Sequence, residues 1–261
     1  MSFGKLLKFE FAKLKNLKIG YAMLALSAVL VFIVWRGYRT SMLEYGFTRM
    51  LSTFILEATE SAYIPLFLAL FVSIFNCQDG TEDTLKTIRA KGYSFVKIYF
   101  TQLVVTYVVM LAYFVLVVAF AVLMGFAGGF ERSGETYKLA RALALRLYCI
   151  VALTAFYTFF ATLIRKTGGA LAVNVVSYAV GFLIFALIDV IMLKIAKDVF
   201  TVNGEDIAFR FTDYWILEFY SAAADFTLNG SEIAKIIVGS SVYLLTGAGG
   251  GYLLSIKKEI R

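Results

Sequence analysis

Continuous apolar stretches separated by short polar segments run through this chain, at 19–35, 62–77, 98–124, 147–164, 170–193 and 236–255. None alternates apolar and polar residues as a half-buried strand would, so each predicts a helix. Spanning a hydrocarbon core takes about 20 residues of helix. The third stretch is long enough to tilt or to run on past the membrane. The second is short, and Ile55 and Leu56 stand where they could lengthen it. Pro65 falls in the first turn of that stretch, where a helix tolerates it, or kinks it. The predicted fold class is an all-α membrane protein of one domain, 1–261, with six transmembrane helices.

The segments between the stretches sharpen this picture. At helical pitch Phe3, Leu6, Leu7, Phe11, Leu14 and Leu17 share a face, and Lys5, Lys8, Lys13 and Lys15 gather opposite. Residues 1–18 therefore predict an amphipathic helix lying at the membrane interface. The same segment is charged over too great a length for a signal peptide. The longest polar connection, 194–235, carries Phe209, Phe211, Tyr214, Trp215, Phe219 and Tyr220, a density that predicts short interfacial helices in an aromatic belt.

Composition confirms the membrane setting. The chain is 61% hydrophobic and only 16% charged, against about 25% charged in soluble domains, and its mean hydropathy is +0.80. The net charge of +7 would suggest nucleic acid in a soluble domain. Here the basic residues sit at the ends of apolar stretches, so a lipid membrane, not nucleic acid, is the expected partner. With the N-terminus inside, the inner segments hold 14 of the 25 Lys and Arg in about half the length of the outer ones. Both termini are therefore expected in the cytoplasm of a multi-pass protein of the cell membrane.

The absence of histidine removes histidine-based triads and most zinc hydrolase sites. Cys77 and Cys149 lie inside apolar stretches and suit packing better than a disulfide. No G-x-x-x-x-G-K-[ST] loop occurs, so no phosphate-loop ATPase site is expected in this chain. No catalytic residue and no metal ligand is assigned. Asn174 and Asp189, polar groups within the fifth stretch, are candidates for a substrate path, since such groups in hydrocarbon are costly. Asp189 is also near enough to the helix end to reach headgroups, and Arg146 is expected to snorkel. Gly247 and Gly251 form a GxxxG pair suited to close helix packing.

The segment Asp79 to Ile98 is the most informative. Gly80 and Gly92 bracket a short helix, 81–91, with Leu85 and Ile88 as apolar knobs on one face and Glu82, Asp83, Lys86, Arg89 and Lys91 around them. Two knobs ringed by charge suit docking in a groove of another protein. Asp79, then Thr84, Leu85 and Lys86, then Gly92, Ser94, Lys97 and Ile98 resemble the cytoplasmic loop of ABC transporter permeases of the type-2 exporter family. Asp83 stands where that family has glycine, and Phe95 where it has arginine.

The resemblance implies a coupling helix at 81–91 whose Thr81, Glu82, Thr84, Leu85, Lys86, Ile88 and Arg89 contact an ATP-binding cassette ATPase subunit. It also implies a second permease copy or paralogue, with ATP and Mg bound by the partner ATPase and no cofactor in this chain. The expected function is export of an amphipathic or hydrophobic cargo: a peptide antibiotic, a bacteriocin-like peptide or a drug. The 25 phenylalanines and 16 tyrosines suit such cargo. The alternatives are an ion-coupled carrier using Asp189 or Asn174, which predicts an inverted repeat, and a membrane-embedded enzyme.

Overall fold

In the computed structural model the described residues are 3–45, 50–60, 63–81, 84–132, 134–164, 166–195, 201–202, 206–207 and 210–260. They form ten α-helices: α1 (Phe3–Asn16), α2 (Lys18–Tyr45), α3 (Leu51–Ala58), α4 (Ile64–Thr81), α5 (Thr84–Ala90), α6 (Phe95–Ala127), α7 (Thr136–Ile164), α8 (Thr167–Ile195), α9 (Ile216–Ala222) and α10 (Gly230–Ile260). Between α8 and α9 lie a two-residue antiparallel pairing of Thr201–Val202 with Asp206–Ile207 and a 3-10 turn at Thr212–Tyr214.

Five helices, α2, α6, α7, α8 and α10, are long and apolar enough to cross a membrane. The sixth expected span falls on α4, whose apolar part, Ile64–Gln78, is shorter than the other five. All 18 residues of α4 rise about 27 Å at 1.5 Å each, against a hydrocarbon core of about 30 Å. Pro65 sits in its first turn. Ile55 and Leu56 do not lengthen α4. They belong to α3, a separate helix in which Phe54, Ile55, Leu56 and Ala58 are all buried.

The other helices overrun their apolar stretches. Half of the expected polar connection 125–146 forms the first turns of α7, where Lys138 makes an exposed ion pair of 2.6 Å with Glu135 just before the helix. Helical hydrogen bonding propagates past the apolar residues because each added residue closes a bond at little cost once the helix exists.

The core gathers on α7, which touches α4, α6, α8, α9 and α10. Small residues let α10 approach closely: a Cβ on Gly247 would collide with the backbone of Ala155 and Phe156, and one on Gly251 with the Tyr99 ring. Tyr99 donates its hydroxyl to the Gly247 carbonyl at 2.9 Å. The GxxxG pair is thus a seam within the bundle. Gly247→Ala should cost about 1–3 kcal/mol through forced overlap with backbone. Gly249→Ala, with no atom within 4 Å of its Cβ position, should leave thermal unfolding unchanged.

Candidate functional site

The short helix α5 is built by local signals at its end. Gly92 has φ +81°, a conformation glycine adopts freely, and its N–H bonds the Arg89 carbonyl at 2.8 Å. Ser94 then caps α6 by accepting the Lys97 N–H at 3.2 Å. Stop and start in three residues set α5 at an angle to its successor. The helix covers Thr84–Ala90 rather than 81–91: Thr81 closes α4, and Glu82 and Asp83 lie outside the described residues.

Leu85 and Ile88 face inward, which corrects the expectation of two exposed knobs. Ile88 is buried at 6% exposure in a cluster with Leu6, Tyr93 and Ile98, and Leu85 packs beside it. The physical reason is α1, whose Leu6 covers the apolar side of α5 and is 2% exposed. What α5 presents outward is Lys86, Thr87, Arg89 and Ala90, followed by Lys91. Thr84 is half-buried. Phe95, the departure from the family pattern, lies under the Arg89 guanidinium at 4.0 Å from the ring centroid. Leu6 and Tyr93 were not singled out for this site. Leu6 was visible only as one member of an apolar face.

On α1 the Leu side, expected at the membrane interface, packs against the bundle through Leu6, Leu7 and Leu14, and Lys13 does not join the exposed lysines. Its ammonium pairs with the fully buried Glu10 carboxylate at 2.8 Å and lies over the Phe75 ring of α4. Phe3, Phe9 and Phe11 stay exposed among Lys5, Lys8 and Lys15.

Asn174 is fully buried and joins three helices. Its Nδ2 donates to Ser73 Oγ of α4 at 2.8 Å and to the Tyr157 carbonyl of α7 at 3.3 Å. Asn76 repeats the device with Thr158 Oγ1 at 3.3 Å. Such bonds hold helices together where lipid offers no hydrophobic gain.

Asp189 accepts the Phe211 and Thr212 backbone N–H groups and the Thr212 hydroxyl, the last two at 3.0 and 2.8 Å. The carboxylate thus ties α8 to the turn at Thr212–Tyr214. Asn174 and Asp189 stand about 22 Å apart along α8 at 1.5 Å per residue, so the structure does not bring them to one place. Asp189→Asn should loosen this turn and speed tryptic cleavage after the exposed Arg210 by about tenfold, since bonds to a charged acceptor are worth about 1.5–3 kcal/mol.

Beside the end of α3, Arg146 does not snorkel. It is 2% exposed, and its Nη1 donates to the Leu56 and Thr59 carbonyls at 2.6 and 3.0 Å and to Thr59 Oγ1 at 2.6 Å. A cation thus satisfies the unpaired carbonyls that end α3. Tyr220 of α9 faces the guanidinium and gives its hydroxyl to the Thr59 carbonyl at 2.6 Å. Burial pushes the Tyr220 phenol well above its usual range, so it stays a neutral donor. Trp215, Ile216, Phe219 and Tyr220 are buried. The aromatic segment therefore packs onto the bundle instead of forming a belt, and Phe209 lies outside the described residues.

Five spanning-length helices, α7 among them, with a charged short helix between α4 and α6, define a multi-pass membrane protein. Residues 6–181 match the family described as ABC-2 family transporter protein, and the chain belongs to that family. The match runs from α1 into α8 and so contains the whole of the α5 site. The protein is accordingly an ABC transporter permease, a membrane transport component, and its family implies an ABC ATPase as partner. No curated protein matches the chain.

Proposed function

We propose that the chain is the permease subunit of an ATP-driven exporter of amphipathic or hydrophobic cargo, and that α5 is its coupling helix. The observation that carries the reading is the two-sidedness of α5. Ile88 and Leu85 fix it to α1 and the start of α6, while Lys86, Thr87 and Arg89 remain outward for the ATPase. A helix gripped on one side and offered on the other passes a push from its partner to the bundle as rigid-body movement.

In this reading ATP and Mg are bound by the ATPase, both termini and α5 are cytoplasmic, and α4 crosses the membrane as a sixth, short span. A second permease copy packs against α2 and α8. Both helices carry exposed apolar residues, including Leu26, Ile33, Val180, Leu183 and Leu187.

The test is reconstitution in liposomes with the ATPase and a fluorescent amphipathic peptide. ATP-dependent peptide movement is expected. Ile88→Ala should cut it several-fold while the ATPase still binds, because the cavity left against Leu6, of order 2–5 kcal/mol, loosens α5 from α1. Movement equal with and without ATP would overturn the proposal.

A further inference from the structure

A cavity of about 260 Å³ opens beside the joint between α1 and α2. Leu14, Leu17, Met23, Phe71, Val109 and Tyr113 line it, and the Tyr113 hydroxyl is taken up by Ser27. The cavity offers apolar surface almost throughout. Tyr21 and Val108, 66% and 48% exposed, stand at its edge, so it opens to the outside of the bundle. Gly20 also lines it, with no atom within 4 Å of its Cβ position. Its size is below the roughly 300–1,000 Å³ of pockets for drug-sized ligands, which favours a single chain over a whole cargo molecule.

Charge at this place has one sign. Lys15 and Lys18 are exposed on either side of Leu17. The nearest acidic residue in sequence, Glu10, is buried against Lys13, and none occurs from 11 to 43. Lys18 lies in the first turn of α2, where the helix dipole gives a cation no benefit, so helix stability does not explain it. Lys15 and Lys18 stand in sequence beside the lining residues Leu14, Leu17 and Gly20, so an apolar slot with two exposed cations near the joint of α1 and α2 complements an amphiphile with one anionic head.

We propose that this cavity is a binding site for an acidic phospholipid, with an acyl chain against Met23, Phe71 and Val109 and the headgroup phosphate at Lys15 and Lys18. The occupant is a bound lipid of the surrounding bilayer. The inference rests on the membrane setting and not on the ATPase.

The experiment is photolabelling of the full chain in nanodiscs with phosphatidylglycerol bearing a diazirine in its acyl chain, the sites being mapped by mass spectrometry. Label should concentrate at 14–24 and 108–116, roughly tenfold or more above that from a phosphatidylcholine probe, as two lysines near a headgroup allow. Lys15→Gln with Lys18→Gln should erase the preference and leave the phosphatidylcholine signal. Gly20→Leu, which enters open space, should empty both walls of label with either probe. Thermal unfolding in the same nanodiscs identifies any variant that fails to fold. Equal labelling by the two probes, label spread evenly over exposed faces of α2, α6 and α8, or unchanged labelling of folded Gly20→Leu would each overturn the proposal.

Discussion

Lys86→Glu combined with Arg89→Glu is expected to weaken ATPase binding by at least about tenfold, equivalent to about 1.4 kcal/mol, with little change in the melting of the bundle. Both side chains are exposed on α5, and like charges set against a partner's acidic groups cost several kcal/mol. Within the chain, Arg89 gives up its contact with the Phe95 ring, of order 0.5–1 kcal/mol at an exposed site. The check is a titration of nanodisc-held permease with ATPase, beside a thermal melt of each variant. Ile88→Asp should behave the other way. It places a carboxylate in the cluster of Leu6, Tyr93 and Ile98, where an unpaired charge is very costly, so it should lower the melting temperature before it touches the docking surface.

The second large effect belongs to Arg146. Arg146→Ala strips three donated hydrogen bonds from the end of α3 and takes a charged donor from the buried Leu56 and Thr59 carbonyls, where such bonds are worth about 1.5–3 kcal/mol each. A loss of about 3 kcal/mol or more is expected in the unfolding of the reconstituted protein. Arg146→Lys should recover only part of it, because an ammonium cannot reproduce the planar fork of the guanidinium. Lys138→Ala, about two turns away on α7, breaks an exposed pair worth about 0–1 kcal/mol and should not register. Equal effects at the two positions would remove Arg146 from its place as the clasp between α3, α7 and α9.

The helices that cross the bundle were legible because their apolar runs are long and unbroken. α3 was not, because Leu51–Ala58 is short and flanked by polar residues, and only burial against the bundle distinguishes it from loop. The end of α5 was legible from Gly92 and Ser94, whose backbone preferences act within a few residues. The direction of its faces was not. Ile88 turns inward because Leu6, far away in sequence, is already there, and periodicity reports that a face is apolar without saying what covers it. The same limit applies to Asp189, whose partners at Phe211 and Thr212 come from a segment that folds back onto α8. It applies again to Arg146, since a lone arginine in an apolar run shows nothing of the helix end it caps.

The outward face of α5 is expected to touch an ATPase. The most direct test is a photoactivatable crosslinker at position 87, in place of Thr87, in native membranes. Thr87 is exposed on α5, so the probe disturbs little of the fold. An adduct between this chain and a phosphate-loop ATPase is expected, with a yield that changes when nucleotide is trapped on the partner. Adducts confined to lipid or to further copies of this chain, with none to an ATPase, would contradict it.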